Sequence, residues 1–199
     1  MKEQVFGFIL LGFIIIICAK MFLDSDLYNL SCIVSTVDGN KYCVRVRDDL
    51  KQEEVVDLLA RTTEKCKKVV KYMGEKHGSK ENVKRLVDNF NPKKVKEILP
   101  TSEFTAYSEN KGEKLAFCTT TNKNGGSLID ENTLTFVALH ELSHIMTKSI
   151  GHTDEFWQNF KFMLICAKEC GIYTPEDYKK KNKRYCGMNI TDNPYYDLK

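Results

Sequence analysis

The stretch VALHELSHIMTKSIGH, residues 137–152, constrains this chain more than any other. His140 and His144 lie four apart, so on a helix both imidazoles leave the same face. That is the spacing with which one helix offers two nitrogen ligands to a tetrahedral zinc ion. Glu141 follows the first histidine, and apart from histidine it is the only ionisable residue between Glu131 and Lys148. A lone carboxylate in an uncharged, buried helix is costly unless something compensates it. A zinc ion and the water it activates would do so, with Glu141 as the general base that takes the water's proton. A core helix carrying two histidines by chance would leave Glu141 unexplained.

A catalytic zinc takes three protein ligands and keeps a fourth position open. His152 is the candidate third ligand, because Ser149-Ile150-Gly151 supplies a glycine at which the helix can end and the chain turn back. Phe156, Trp157 and Phe160 would then anchor the next helix against the first. Asp154 and Glu155 are rival ligands, although acids at those positions also suit the N-terminus of that next helix. His77, at the end of a long helical stripe, reads as a surface residue.

HELSH, a glycine turn and HTDEFW together resemble the SprT-like and WLM (weak-suicide-metalloprotease-like) zinc peptidases, and most of all WLM-type proteins of large DNA viruses. The resemblance covers roughly residues 100–171 and extends to Tyr185-Cys186-Gly187-Met188. It implies a zincin-like fold, with zinc (Zn2+) held by His140, His144 and His152 and Glu141 as general base. It also implies that LAFCT, residues 115–119, is an edge strand along which a peptide lies. Tyr173, Tyr178 and Tyr185 are candidate donors to the oxyanion, with Tyr185 preferred as the second catalytic residue.

Ahead of this region, residues 5–23 read VFGFILLGFIIIICAKMFL, uncharged as far as Ala19. With Lys20 snorkelling, the run reaches roughly the length of a bilayer span and predicts an uncleaved, single-pass N-terminal anchor. Residues 1–24 are therefore expected to be a transmembrane anchor with a short flank, and 25–199 a metallopeptidase domain with its core near 100–171. Membrane sidedness is set only by a slight positive-inside lean. The formal net charge of +3 gives no case for a nucleic-acid partner, and Lys179 to Arg184 reads as a solvated loop. Cys32 and Cys43 could bridge a hairpin or stay reduced, while Cys166 and Cys170 read as buried small hydrophobes. Two sequons, at Asn29 and Asn189, are compatible with a lumenal domain.

The remaining pattern alternates strands and helices. Asp38-Gly39 centres a hairpin, and apolar spacing predicts helices over residues 50–77 and Glu81–Phe90. NPKKVKEIL has proline in its first turn and reads as a third helix. A second hairpin turns at Asn110–Gly112, and helices follow over Glu131–Lys148, from Thr153 to Gly171, and at Thr174-Pro175-Glu176-Asp177. The tail reads as loop.

The whole predicts an α+β, zincin-like metalloprotease domain, a small sheet beside an HExxH helix, behind one transmembrane helix. Its expected activity is zinc-dependent hydrolysis of peptide bonds in a protein or peptide substrate. The alternatives are a catalytically inactive zinc-stabilised binding module and a protease acting on protein crosslinked to DNA.

Overall fold

The computed structural model describes residues 2–23, 30–48 and 50–197. The chain is α+β, with six helices and four small sheets among the described residues. The first helix, α1, runs from Lys2 to Leu23 and leaves side chains such as Phe8 and Ile9 exposed.

The expected membrane anchor is corrected here. Among the described residues, no helix is long and apolar enough to cross a membrane. The uncharged run of α1 ends at Ala19, so residues 5–19 rise only ~22 Å, short of the ~30 Å of hydrocarbon in a bilayer. Neither the single-pass localisation nor a membrane partner reached through residues 5–23 stands. The expected boundary at residue 24, and the sequon asparagine at 29, lie outside the described residues.

The body begins with a hairpin, β1 (Leu30–Val34) and β2 (Lys41–Arg45), in antiparallel register. Cys32 and Cys43 stand directly opposite each other, with Cα atoms 4.0 Å apart, and form a disulfide. Next comes α2 (Gln52–His77), whose Val55, Val56, Leu59, Val69 and Met73 fill the core, then α3 (Glu81–Asn89). NPKKVKEIL is not a helix. Its centre is the short strand β3 (Val95–Glu97), parallel to β5 (Lys114–Phe117), with β4 (Ala106–Glu109) antiparallel on the other side.

Tertiary contacts override helix propensity at Glu97. Its buried carboxylate receives Arg45 Nε at 3.2 Å, Arg47 Nη1 at 2.9 Å and the Arg45 backbone N–H at 2.7 Å. These contacts tie β3 to β2 and pair the buried Glu97 carboxylate.

The sheet order β3-β5-β4 makes LAFCT central, so the exposed edge next to the candidate site is β4. This corrects the strand assignment that the resemblance implied. A small hairpin, β6 (Thr120–Asn122) and β7 (Gly125–Leu128), leads to α4 (Glu131–Met146) and α5 (Asp154–Glu169). Thr174–Asp177 forms no helix. The tail, read as loop, carries a further hairpin, β8 (Lys183–Tyr185) and β9 (Met188–Ile190), then α6 (Pro194–Asp197). Asn189 lies on β9.

A second disulfide, Cys118–Cys186, staples that tail hairpin to the end of β5. The Cys186 and Gly187 N–H groups also donate to Thr120 O at 3.0 Å and Thr121 O at 2.8 Å. Cys166 and Cys170 are free thiols. Closing a loop of 68 residues is worth about 4 kcal/mol in the chain-entropy account. Replacing both Cys118 and Cys186 with alanine is therefore expected to lower the Tm by roughly 10 °C under non-reducing conditions. Coincident melting curves for variant and parent would rule the bridge out.

Candidate metal centre

Helix α4 begins at Asp130, whose carboxylate accepts the Thr133 N–H at 2.9 Å, and it stops at Thr147. Nearly every side chain between Thr133 and Met146 is buried, as the absence of charge there requires. The exceptions are His140 and His144, which are half-buried and share one face.

Past the helix the chain reverses at Gly151, whose φ of +83° lies in the left-handed region that glycine enters without a Cβ penalty. The reversal brings His152 over the helix. His140 Nε2 lies 3.2 Å from His144 Nε2 and 3.0 Å from His152 Nε2. Ligand atoms of all three fall within 4.8 Å of one another. Two nitrogens each about 2.0–2.1 Å from a tetrahedral zinc would sit roughly 3.3 Å apart, so the donor set fits such an ion. Burial pushes His140 down to about 3, helped by His144 and His152, and His144 down to about 4, helped by His152 and the Lys111 ammonium. At neutral pH both rings are uncharged and have lone pairs to give, as a metal ligand must.

The Phe-Trp pair after His152 now has a physical role. Phe156 is buried with its ring stacked on His144 at 4.3 Å, and its centroid lies 4.8 Å from His140 and 4.7 Å from His152. Trp157 packs on His152 at 5.6 Å, and Phe160 meets His140 edge-on at 5.1 Å. The three imidazoles are thus held by aromatic rings on their protein side.

Asp154 and Glu155 do not join the histidine cluster. Glu155 accepts the N–H groups of Lys148 at 2.9 Å and Ser149 at 3.1 Å, and the Ser149 hydroxyl at 2.8 Å. On the other side of the same turn, Lys111 Nζ donates to Thr147 O at 2.8 Å, Ser149 O at 2.9 Å and His144 O at 3.4 Å. Arg85 donates to Met146 O. A carboxylate on the amides and cations on the carbonyls therefore clamp the reversal that delivers His152. Lys111 reaches this position from the β4–β5 turn, where Gly112 is needed. A Cβ there would stand 2.7 Å from Asn89 O and 2.9 Å from Ile145 Cδ1. No sequence motif marks Lys111, because its partners are backbone carbonyls more than thirty residues away.

Glu141 is 5% exposed and lies beside β4. Burial raises its carboxyl to about 8, partly offset by the Ser108 backbone N–H, which favours the ionised form. Tyr185 borders the same cavity as His140 and Glu141, but its hydroxyl is engaged. It donates to Thr105 O at 3.0 Å and accepts the Cys118 N–H at 3.1 Å, which ties the tail hairpin to the sheet. Tyr173 and Tyr178 pack behind α4 against Phe136.

No family model matches this chain, and no solved structure matches it. It is 26% identical over 175 residues to an uncharacterized protein of Acanthamoeba polyphaga mimivirus, covering 86% of this chain and 82% of that one. It is 37% identical over 83 residues to an uncharacterized protein of Invertebrate iridescent virus 3, covering 42% of this chain and 50% of that one. An uncharacterized protein of Invertebrate iridescent virus 6 is 35% identical over 75 residues, covering 37% and 41% respectively. The chain is thus similar to proteins of viruses.

Proposed function

We propose that this chain is a zinc metallopeptidase of zincin-like architecture that hydrolyses peptide bonds in protein substrates. The observation that carries the reading is the convergence of the His140, His144 and His152 imidazoles beside one buried carboxyl group, that of Glu141. The likeness of HELSH and HTDEFW to SprT-like and WLM peptidases supports it.

His140, His144 and His152 would hold the zinc. When bound, the ion supplies Lewis acidity, polarising a carbonyl and acidifying water. The chain's own groups do the rest. Glu141, ionised beside the cation, takes the proton of the attacking water and later delivers it to the leaving amine. Strand β4, at the sheet edge next to α4, offers backbone groups to an extended peptide by strand addition. Phe156 and Trp157 keep the imidazoles in place and shield their protein side from water.

Metal analysis of the purified chain is expected to give one zinc per molecule. Cleavage of an unfolded protein such as casein should be lost on chelation and return with one equivalent of zinc. Purification without metal, or cleavage undiminished by the chelator, would overturn the reading.

A further inference from the structure

A cavity of about 270 Å³ opens beside His140 and Glu141, between α4, α5 and the β8–β9 hairpin. Its walls are apolar: Phe136 and Val137 from α4, Trp157 and Phe160 from α5, Ile190 and Pro194 from the tail. Thr105 and Ala106, at the start of edge strand β4, border it too. A peptide paired with β4 would therefore pass its mouth within reach of Glu141. The volume lies just under the ~300–1,000 Å³ of drug-sized ligand sites and suits a single large side chain.

We infer that this cavity receives a large apolar side chain next to the scissile bond, and that Val137 and Ile190 set its depth. The inference rests on the peptidase reading for the identity of the bond, but not for the existence of the site. Charge argues for an apolar occupant. Asp192, at the rim, accepts the Asn193 N–H at 2.8 Å and pairs with Lys179 at 3.6 Å, so its charge is already matched within the protein. Away from Glu141, a charged side chain placed against the Phe136 and Phe160 rings would be stripped of water without a partner. The wall is also preformed. The Cys118–Cys186 bridge and the Tyr185–Thr105 bond hold the hairpin in place before any ligand arrives.

Trp157 is the only tryptophan in the chain and lines the cavity, so its fluorescence reports occupancy directly. Blocked pentapeptides Ala-Ala-Xaa-Ala-Ala are titrated into the zinc-loaded Glu141→Gln protein, which should bind without turnover. Phe, Leu and Met peptides are expected to shift the emission and to bind at least ~10-fold more tightly than Asp, Lys or Gly peptides. Val137→Phe and, separately, Ile190→Trp should each shrink the cavity and move the preference toward the Ala peptide, with zinc still bound. For Ile190→Trp, whose new indole complicates fluorescence, calorimetry reads the binding. Equal affinity across the series, or a preference unmoved by both variants, overturns the inference. Selective binding by the Glu141→Gln protein, beside a zinc-loaded parent that cleaves none of these peptides nor casein, upholds the pocket and removes the peptidase reading.

Discussion

Replacing Glu141 with glutamine is expected to lower cleavage by roughly 10²–10⁴-fold, the usual share of a general acid–base group, while zinc stays bound. The same change should make the metal-free protein more stable at alkaline pH. Burial lifts the Glu141 carboxyl from 4.5 to about 8, so the folded chain keeps a proton that the unfolded chain has lost. Stability from this group therefore falls as pH rises from about 4.5 to 8, and glutamine removes that penalty. The gain at pH 8 is on the order of a few kcal/mol, a Tm increase of several degrees, and should vanish near pH 4. The histidines act in the opposite sense. His140 and His144 are depressed to about 3 and about 4, so their contribution is complete above 6.5 and is lost as pH falls toward those values. Calorimetric melts of the metal-free proteins across pH 3–9 read both limbs. Full cleavage by the glutamine variant, or melting curves that coincide at pH 8, would remove Glu141 from the role assigned to it.

Removing His152 should weaken zinc binding by more than ~100-fold, because a ligand is lost and not merely a supporting contact. Glu155→Gln and Lys111→Met are each expected to cost about 10-fold, in the range of partners that orient a ligand from outside. Both groups hold the turn between His144 and His152 through backbone atoms, and Glu155 also through the Ser149 hydroxyl, with bonds of 2.8–3.1 Å. Arginine at position 111 keeps the charge and should recover most of the loss. Competition titration with a chromophoric chelator gives the affinities. The d–d spectrum of the cobalt-substituted protein shows whether three nitrogens still bind. A Glu155→Gln protein that loses the metal while His152→Ala keeps it would make Glu155 the ligand and His152 the bystander.

Much of the centre was legible in residues 137–160. A four-residue histidine spacing, an isolated glutamate and an uncharged flank are local patterns, and a helix converts them directly into a shared face. The same locality explains α2 and α3, whose apolar stripes match their buried sides. Where contacts are distant, pattern fails. Val95-Lys96-Glu97 is too short a strand to show alternation, and its identity depends on β5 and on two arginines some fifty residues earlier. The tail hairpin is equally hidden, since Tyr185 and Cys186 find their partners at Thr105 and Cys118. The apolar run of α1 announced a helix correctly, but one too short in its uncharged part to span a bilayer.

By itself, then, the sequence determined the helix that carries His140, Glu141 and His144, the glycine reversal after it and the aromatic pair behind His152. Each follows from residue types within one or two helical turns. Only the tertiary structure decided which strand forms the open edge, how Lys111 and Glu155 hold the reversal, and that the tail closes a cavity beside Glu141. Those features depend on pairings between segments far apart in the chain. Their free energy comes from burial and from backbone bonds that any residue can make, so they leave no local mark on residue type.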